Sequence, residues 1–93
     1  MQSVRRDIAI LVDETVSAQS LMDAAKPVLG GVVTDFGVFD LYRGPKLENG
    51  KKSVAFRVLM QDTDRTLTDQ EADAKVSSIV EVFVSKFGAT LRK

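Results

Sequence analysis

An α+β fold of order β-α-β-β-α-β, a split βαβ unit, is what this sequence predicts, and three observations predict it. Short apolar runs rich in β-branched residues, at Ile8–Val12 and Val54–Met60, alternate with stretches of helical periodicity. A loop dense in glycine, proline and asparagine divides the two middle strands. Each helical stretch opens on a capping residue and stops at glycine.

The elements follow in order. Arg6–Asp13 (RDIAILVD) is an apolar run closed at both ends by charge, and predicts a strand buried on both faces or nearly so. Val16–Leu29 carries Leu21, Ala25, Val28 and Leu29 at helical spacing, with Ser17 as N-cap or first-turn residue. Pro27 should bend that helix or end it near Lys26, because its ring crowds the preceding turn. Gly30-Gly31 stops it. Val32–Arg43 is a second extended segment, where Gly37 suggests a bulge or a close backbone approach. Gly44–Gly50 (GPKLENG) reads as a hairpin loop. Lys52–Met60 alternates, with Val54, Phe56, Val58 and Met60 toward the core and Ser53, Ala55, Arg57 and Leu59 on the face left open.

Thr68-Asp69-Gln70-Glu71 is a capping box. Behind it a helix runs to Phe87 on the stripe Ala72, Val76, Ile79, Val80, Phe83 and Phe87, and Gly88 ends it. Ala89–Arg92 suffices for a short closing strand. Right-handed crossovers leave one layout, the ferredoxin-like α+β architecture. It is a four-stranded antiparallel sheet, first and third strands central, both helices on one face. One domain spans 1–93.

Composition narrows the chemistry. With no cysteine there is no disulfide or thiolate site, and with no histidine the commonest general base and transition-metal ligand is missing. No apolar run approaches the ~20 residues of a membrane span, and the N-terminus lacks a signal-peptide core. A cytoplasmic setting is expected. Charge balances at 13 basic against 13 acidic residues, which disfavours a strongly basic nucleic-acid binder. Its distribution is uneven. Arg43, Lys46, Lys51, Lys52 and Arg57 make one basic stretch, and Asp62, Asp64, Asp69, Glu71 and Asp73 an acidic one.

Catalysis is poorly provided for. Asp62 with Asp64 reads as turn and helix-start chemistry, and no glycine-rich loop opens a helix to cradle phosphate. No catalytic residue, cofactor site or metal site is expected in the domain. RNA contact has more material: Arg6, Arg43, Lys46, Lys51, Lys52 and Arg57 are the candidates. Exposed aromatics are too scattered for the stacking run of an RNA-recognition motif, so electrostatic and shape-based contact is expected.

Four strings carry more than composition does. These are Arg6-Asp7 in RRDIAILVDE, Phe39-Asp40-Leu41-Tyr42-Arg43-Gly44, Gly50-Lys51-Lys52-Ser53 before an apolar strand, and Arg65-Thr66-Leu67 before an acidic helix start. With KFGATLR at the end, their order and spacing resemble the ferredoxin-fold anticodon-binding domain of bacterial phenylalanyl-tRNA synthetase β chains. The likeness covers nearly the whole chain, although Met1-Gln2 stands where many members have Phe-Pro. It implies a tRNA-binding module that ends a larger β subunit and reaches the anticodon region of tRNA-Phe. It also implies an α subunit that activates phenylalanine with ATP and Mg²⁺.

The motif residues also have architectural readings. Arg6 and Asp7 would pair at the sheet edge, Tyr42 would bond across the hairpin, and Arg65 would hold the loop before the capped helix, where Thr68 and Glu71 lie; Asp40 is read as structural as well. Two other functions fit the architecture. A regulatory domain binding a small molecule or protein partner would need an interface pocket. An acylphosphatase-like hydrolase would need an arginine loop after the first strand, where Asp13-Glu14 stands instead.

Overall fold

The computed structural model describes residues 3–45, 47 and 49–92. Its elements are β1 (Val4–Asp13), α1 (Ala18–Leu29), β2 (Val33–Tyr42), β3 (Lys51–Met60), α2 (Asp69–Phe87) and β4 (Thr90–Leu91). All strand pairs are antiparallel and the sheet order is β2-β3-β1-β4, so β1 and β3 are central as expected. β1 and β3 pair without a slip from Val4↔Met60 to Asp13↔Lys51.

That register puts the two alternating patterns on the same side. Ile8, Ile10 and Val12 of β1 and Val54, Phe56, Val58 and Met60 of β3 are buried with Leu21 and Ala25 of α1 and Ala72, Ile79 and Phe83 of α2. β1 therefore departs from the expectation of two buried faces: Ala9 and Leu11 are half-buried, because no layer covers the second side. Val80 also sits at the margin of the core and not within it.

An aromatic stack ties the layers together. Phe56 lies between Phe36 of β2, with ring centroids 5.2 Å apart, and Phe83 of α2 at 5.1 Å. Such stacks add to area burial, and they carry the edge strand β2 toward a helix layer that otherwise barely touches it.

Both helix starts were readable. The Ser17 side chain accepts from the Ser20 amide, and Thr68 and Glu71 form the complete capping box. Gly88 adopts the left-handed φ of 66° that closes α2. Pro27 differs from expectation: α1 runs through it to Leu29, capped at Gly30. The proline is exposed with only Val28 and Leu29 of the helix beyond it, and Lys75 of α2 donates to the Val28 carbonyl at 2.8 Å.

Gly37 is not the bulge either. It pairs in register with Arg57, and the register slips fall at Thr34 and Phe39 on either side of it.

The acidic stretch before and within α2 is largely neutralised inside the domain. Arg6 reaches Asp69 at 3.0 Å and Asp73 at 3.2 Å, pinning β1 to the first turns of α2. Arg65 clasps both carboxylate oxygens of Glu71 and approaches Asp62 at 3.9 Å. Glu71 also accepts from the Thr68 amide at 3.0 Å. The Arg65 guanidinium, then the Thr68 amide, hold the Glu71 carboxyl down at about 2, from an ordinary 4.5.

Three stability outcomes follow from this packing. Phe56→Ala should cost about 3–5 kcal/mol in denaturant unfolding, since it empties the centre of the stack. Thr68→Ala should cost about 0.5–2 kcal/mol through the lost cap. Glu71 has a depressed pKa, so its ionised form stabilises the fold above about 4.5 and that contribution disappears as pH falls toward about 2. Melting temperature should drop across this window, and Glu71→Gln should flatten the drop while lowering stability at neutral pH.

Candidate nucleic-acid interface

The uncovered side of the sheet is where side chains of mixed chemistry collect. Residues of β1 and β3 that alternate with the core point there: Arg5, Asp7, Ala9 and Leu11 from β1, and Ser53, Ala55, Arg57 and Leu59 from β3. β2 joins them by means of its bulges. Val38 pairs with Phe56 and Asp40 with Ala55, so Phe39 is the extra residue between them. A bulge puts two successive side chains opposite one partner, which turns Phe39 and Asp40 together onto the open face. Tyr42, opposite Ser53, follows on the same side.

Phe39 and Tyr42 are 47% and 37% exposed, which is high for aromatics on a sheet. Each is covered by a cation. The Arg5 guanidinium carbon stands 5.6 Å from the Phe39 ring centroid, and that of Arg92 stands 5.6 Å from the Tyr42 ring. Arg92 follows β4, where its amide donates to the Ala9 carbonyl at 2.7 Å. Its side chain and the Tyr42 ring meet over the two central strands that separate β4 from β2, where the Ala9↔Ala55 pair is small.

Gly44 explains the spacing of the Tyr42-Arg43-Gly44 string. A Cβ at Gly44 would overlap the Tyr42 hydroxyl and stand 2.7 Å from Cζ. Only glycine lets the ring lie back over the start of the hairpin. Tyr42 thus packs against Gly44 and under Arg92, a different arrangement from a bond across the hairpin.

The candidate cations separate once placed. Arg43 is exposed just past β2, and Lys51 is half-buried opposite Asp13, whose carboxyl is lowered by Thr15 hydrogen bonds and further by Lys51. Arg57 lies on the open face, bonded to Asp35 at 3.0 Å, with its Nε buried and unpartnered. Lys46 lies outside the described residues.

Two candidates are corrected. Lys52 is 4% exposed and opposite Val12 on the helix-facing side, so it is not a surface cation; it shares the parity of Val54 and Phe56. Arg6 also projects to the helix side and is held by Asp69 and Asp73, so the expected Arg6–Asp7 pair does not form. Asp7 pairs with Arg5 at 3.0 Å, two residues away on the same face. Asp40 is exposed beside Tyr42, and Arg65 holds the loop before α2 as expected.

Arg5, Phe39 and Arg92 were missed as a set. Parity with Ile8 and Ile10 separates Arg5 from Arg6, but the aim of Phe39 depends on a bulge and that of Arg92 on a contact across the whole sheet.

Among the described residues no three acidic side chains converge to hold a metal, and no helix is long and apolar enough to cross a membrane. Two shallow depressions lie elsewhere. One of about 260 Å³ is lined by Val28, Ser78, Glu81, Val82 and Ser85, and one of about 330 Å³ by Gly31, Val32, Gln61, Asp62 and Thr63.

Fold and face together define a ferredoxin-like module whose distinctive surface is an open sheet and not an enclosed pocket. Residues 1–92 match the model of the ferredoxin-fold anticodon binding domain, and the chain belongs to that family. Among curated relatives it is 44% identical over 89 residues to the phenylalanine–tRNA ligase beta subunit of Nitrosospira multiformis, covering 96% of this chain and 11% of that protein. It is 46% identical over 89 residues to the same subunit of Dechloromonas aromatica, covering 96% and 11%. For Chromobacterium violaceum the figures are 46% over 91 residues, 98% and 12%. The chain thus spans about a ninth of the length of these relatives.

Gly44→Ala should displace the Tyr42 ring while leaving the core untouched. As the chain has one tyrosine and no tryptophan, its near-ultraviolet emission reports that ring directly. The emission should change with the melting temperature within a few degrees of the parent; unchanged emission would mean the ring does not depend on Gly44.

Proposed function

We propose that this chain is the tRNA-contacting domain of a phenylalanine–tRNA ligase β subunit, and that its open sheet face receives the anticodon region of tRNA-Phe. The observation that carries the reading is the pair of exposed, cation-covered aromatics on the open sheet of a family member. Unpaired bases stack on aromatic rings and guanidinium planes, each stack being worth about 1–3 kcal/mol. Tyr42 offers the ring, Arg92 a guanidinium beside it, and Asp40 an acceptor. A carboxylate repels phosphates but accepts hydrogen bonds from base N–H groups, so Asp40 favours base edges over backbone. Lys51, at the hairpin end of the same face, and Arg43, exposed just past β2, take the phosphates. This shifts the balance from the purely electrostatic contact expected of the sequence toward stacking.

In this reading the domain performs no chemistry. Phenylalanine activation with ATP and Mg²⁺, and transfer to tRNA, belong to the remainder of the enzyme, built with an α subunit in the cytoplasm. The contribution here is positional: holding the anticodon end raises the effective concentration of the acceptor end at the active site. Zero net charge and few phosphate-facing cations keep the isolated affinity low and its salt dependence shallow.

Filter binding of the anticodon stem-loop of tRNA-Phe tests the proposal. Tyr42→Ala should weaken binding by about 1–3 kcal/mol with little loss of stability. In the assembled enzyme, reversing Arg43 and Lys51 to glutamate should raise KM for tRNA and leave phenylalanine activation intact. Unchanged tRNA kinetics in both variants would remove the open face from the interface.

A further inference from the structure

The half of the open face remote from Tyr42 has an organisation of its own. Phe39 is turned outward by the bulge and its ring is covered by Arg5. The Arg5 guanidinium is held edge-on by Asp7, with Nε donating at 3.0 Å and Nη2 at 3.4 Å. The guanidinium carbon therefore lies over the ring while its Nε/Nη2 edge is on a carboxylate. The side chain is 52% exposed, and neither of its two bonds to Asp7 uses Nη1.

Next to it Gly37 leaves a gap in β2: a Cβ built there meets nothing within 4 Å. Arg57 pairs with Gly37 in register and is drawn aside to Asp35. The result is an exposed ring beside a carboxylate-held guanidinium, bordered by an open notch.

We propose that this Phe39–Arg5 layer is a second nucleobase platform, taking an unpaired base distinct from the one at Tyr42; the proposal rests on the RNA reading above. Charge decides between base and phosphate. Arg5 and Arg57 are matched by Asp7 and Asp35, so the patch is neutral and its carboxylates repel phosphate oxygens. A neutralised guanidinium on an aromatic ring still offers a polarisable plane, which suits a flat base. Nη1 can donate to a ring nitrogen or carbonyl at the edge of that base.

Spacing then defines the ligand. Phe39 and Tyr42 are three residues apart on one strand with the bulge at Phe39, roughly 7–10 Å at ~3.3 Å per regular residue. Consecutive bases in a helical stack are ~3.4 Å apart. Two bases on the two platforms therefore come from a splayed, single-stranded loop and not from a duplex or a continuous stack.

The test places a single abasic nucleotide at each loop position of the tRNA-Phe anticodon stem-loop in turn and measures binding to the chain by filter retention. Two loop positions should be sensitive, each losing about tenfold in affinity, the equivalent of ~1.4 kcal/mol. One sensitivity should vanish in Tyr42→Leu. The other should vanish in Arg5→Gln and in Phe39→Leu, and combining those two should add nothing further, as expected of one stacked unit. All these residues are exposed, and melting curves of the variants check that they fold. Sensitivity at one position alone, or two that both persist in Arg5→Gln and Phe39→Leu, overturns the second platform while leaving the Tyr42 site standing. Failure of the intact stem-loop to bind at all overturns the RNA reading and this inference with it.

Discussion

Phe56 is the point on which the rest of the structure hangs. It projects from a central strand into the one core, and both of its aromatic neighbours belong to other layers. Through Phe36 it anchors β2, an edge strand that the helices scarcely cover, as the exposure of Val38 and Leu41 shows. Through Phe83 it sets the height of α2 over the sheet. With the buried side saturated in this way, every residue of opposite parity in β1 and β3 is released to the other face. The open face is a consequence of how completely the helix side is filled.

Division of charge follows the same parity. Adjacent arginines on β1 do different work because successive strand side chains point to opposite sides. Arg6 goes to the helix side, where it meets Asp73 and Asp69, the latter in the first turn of α2 where the helix dipole favours a carboxylate. Arg5 goes to the open side and lies on Phe39. The acidic stretch that looks in sequence like an exposed edge is drawn into ion pairs with Arg6 and Arg65, which join the start of α2 to β1 and to its own lead-in loop. Exposed pairs of this kind add modestly to stability, and their clearer role is to fix the direction in which α2 leaves the loop.

The open face gains its aromatics from an irregularity. With strict alternation β2 could not present both Phe39 and Tyr42 on the side opposite Phe36 and Val38. The extra residue at Phe39 shifts the register by one and lets an apolar pattern and an exposed aromatic pattern share a strand. Gly44 and Arg92 then hold Tyr42 from two directions, one by leaving space and one by covering the ring. The site is assembled from all four strands, each supplying what its position in the sheet permits.

What the sequence determined by itself is what depends on near neighbours along the chain. The caps at Ser17 and Thr68, the glycine stop at Gly88, the alternation of Val54–Met60 and the helical stripe through Ile79 and Phe83 are all local signals, and with the handedness of crossovers they leave a single topology. Even the burial of Lys52 was legible there, in its parity with Val54. Pro27 misled because its missing N–H and its ring disturb only the turn around it, and just Val28 and Leu29 of α1 lie beyond it to be redirected. Tertiary structure alone decided the site. The slip at Phe39 is a property of a strand pair, the partner of Arg6 lies more than sixty residues away, and Arg92 meets Tyr42 only because β4 and β2 end on the same face of one sheet. No periodicity within a single segment encodes such contacts, since they arise where separate segments, each satisfied locally, are brought side by side by a common core.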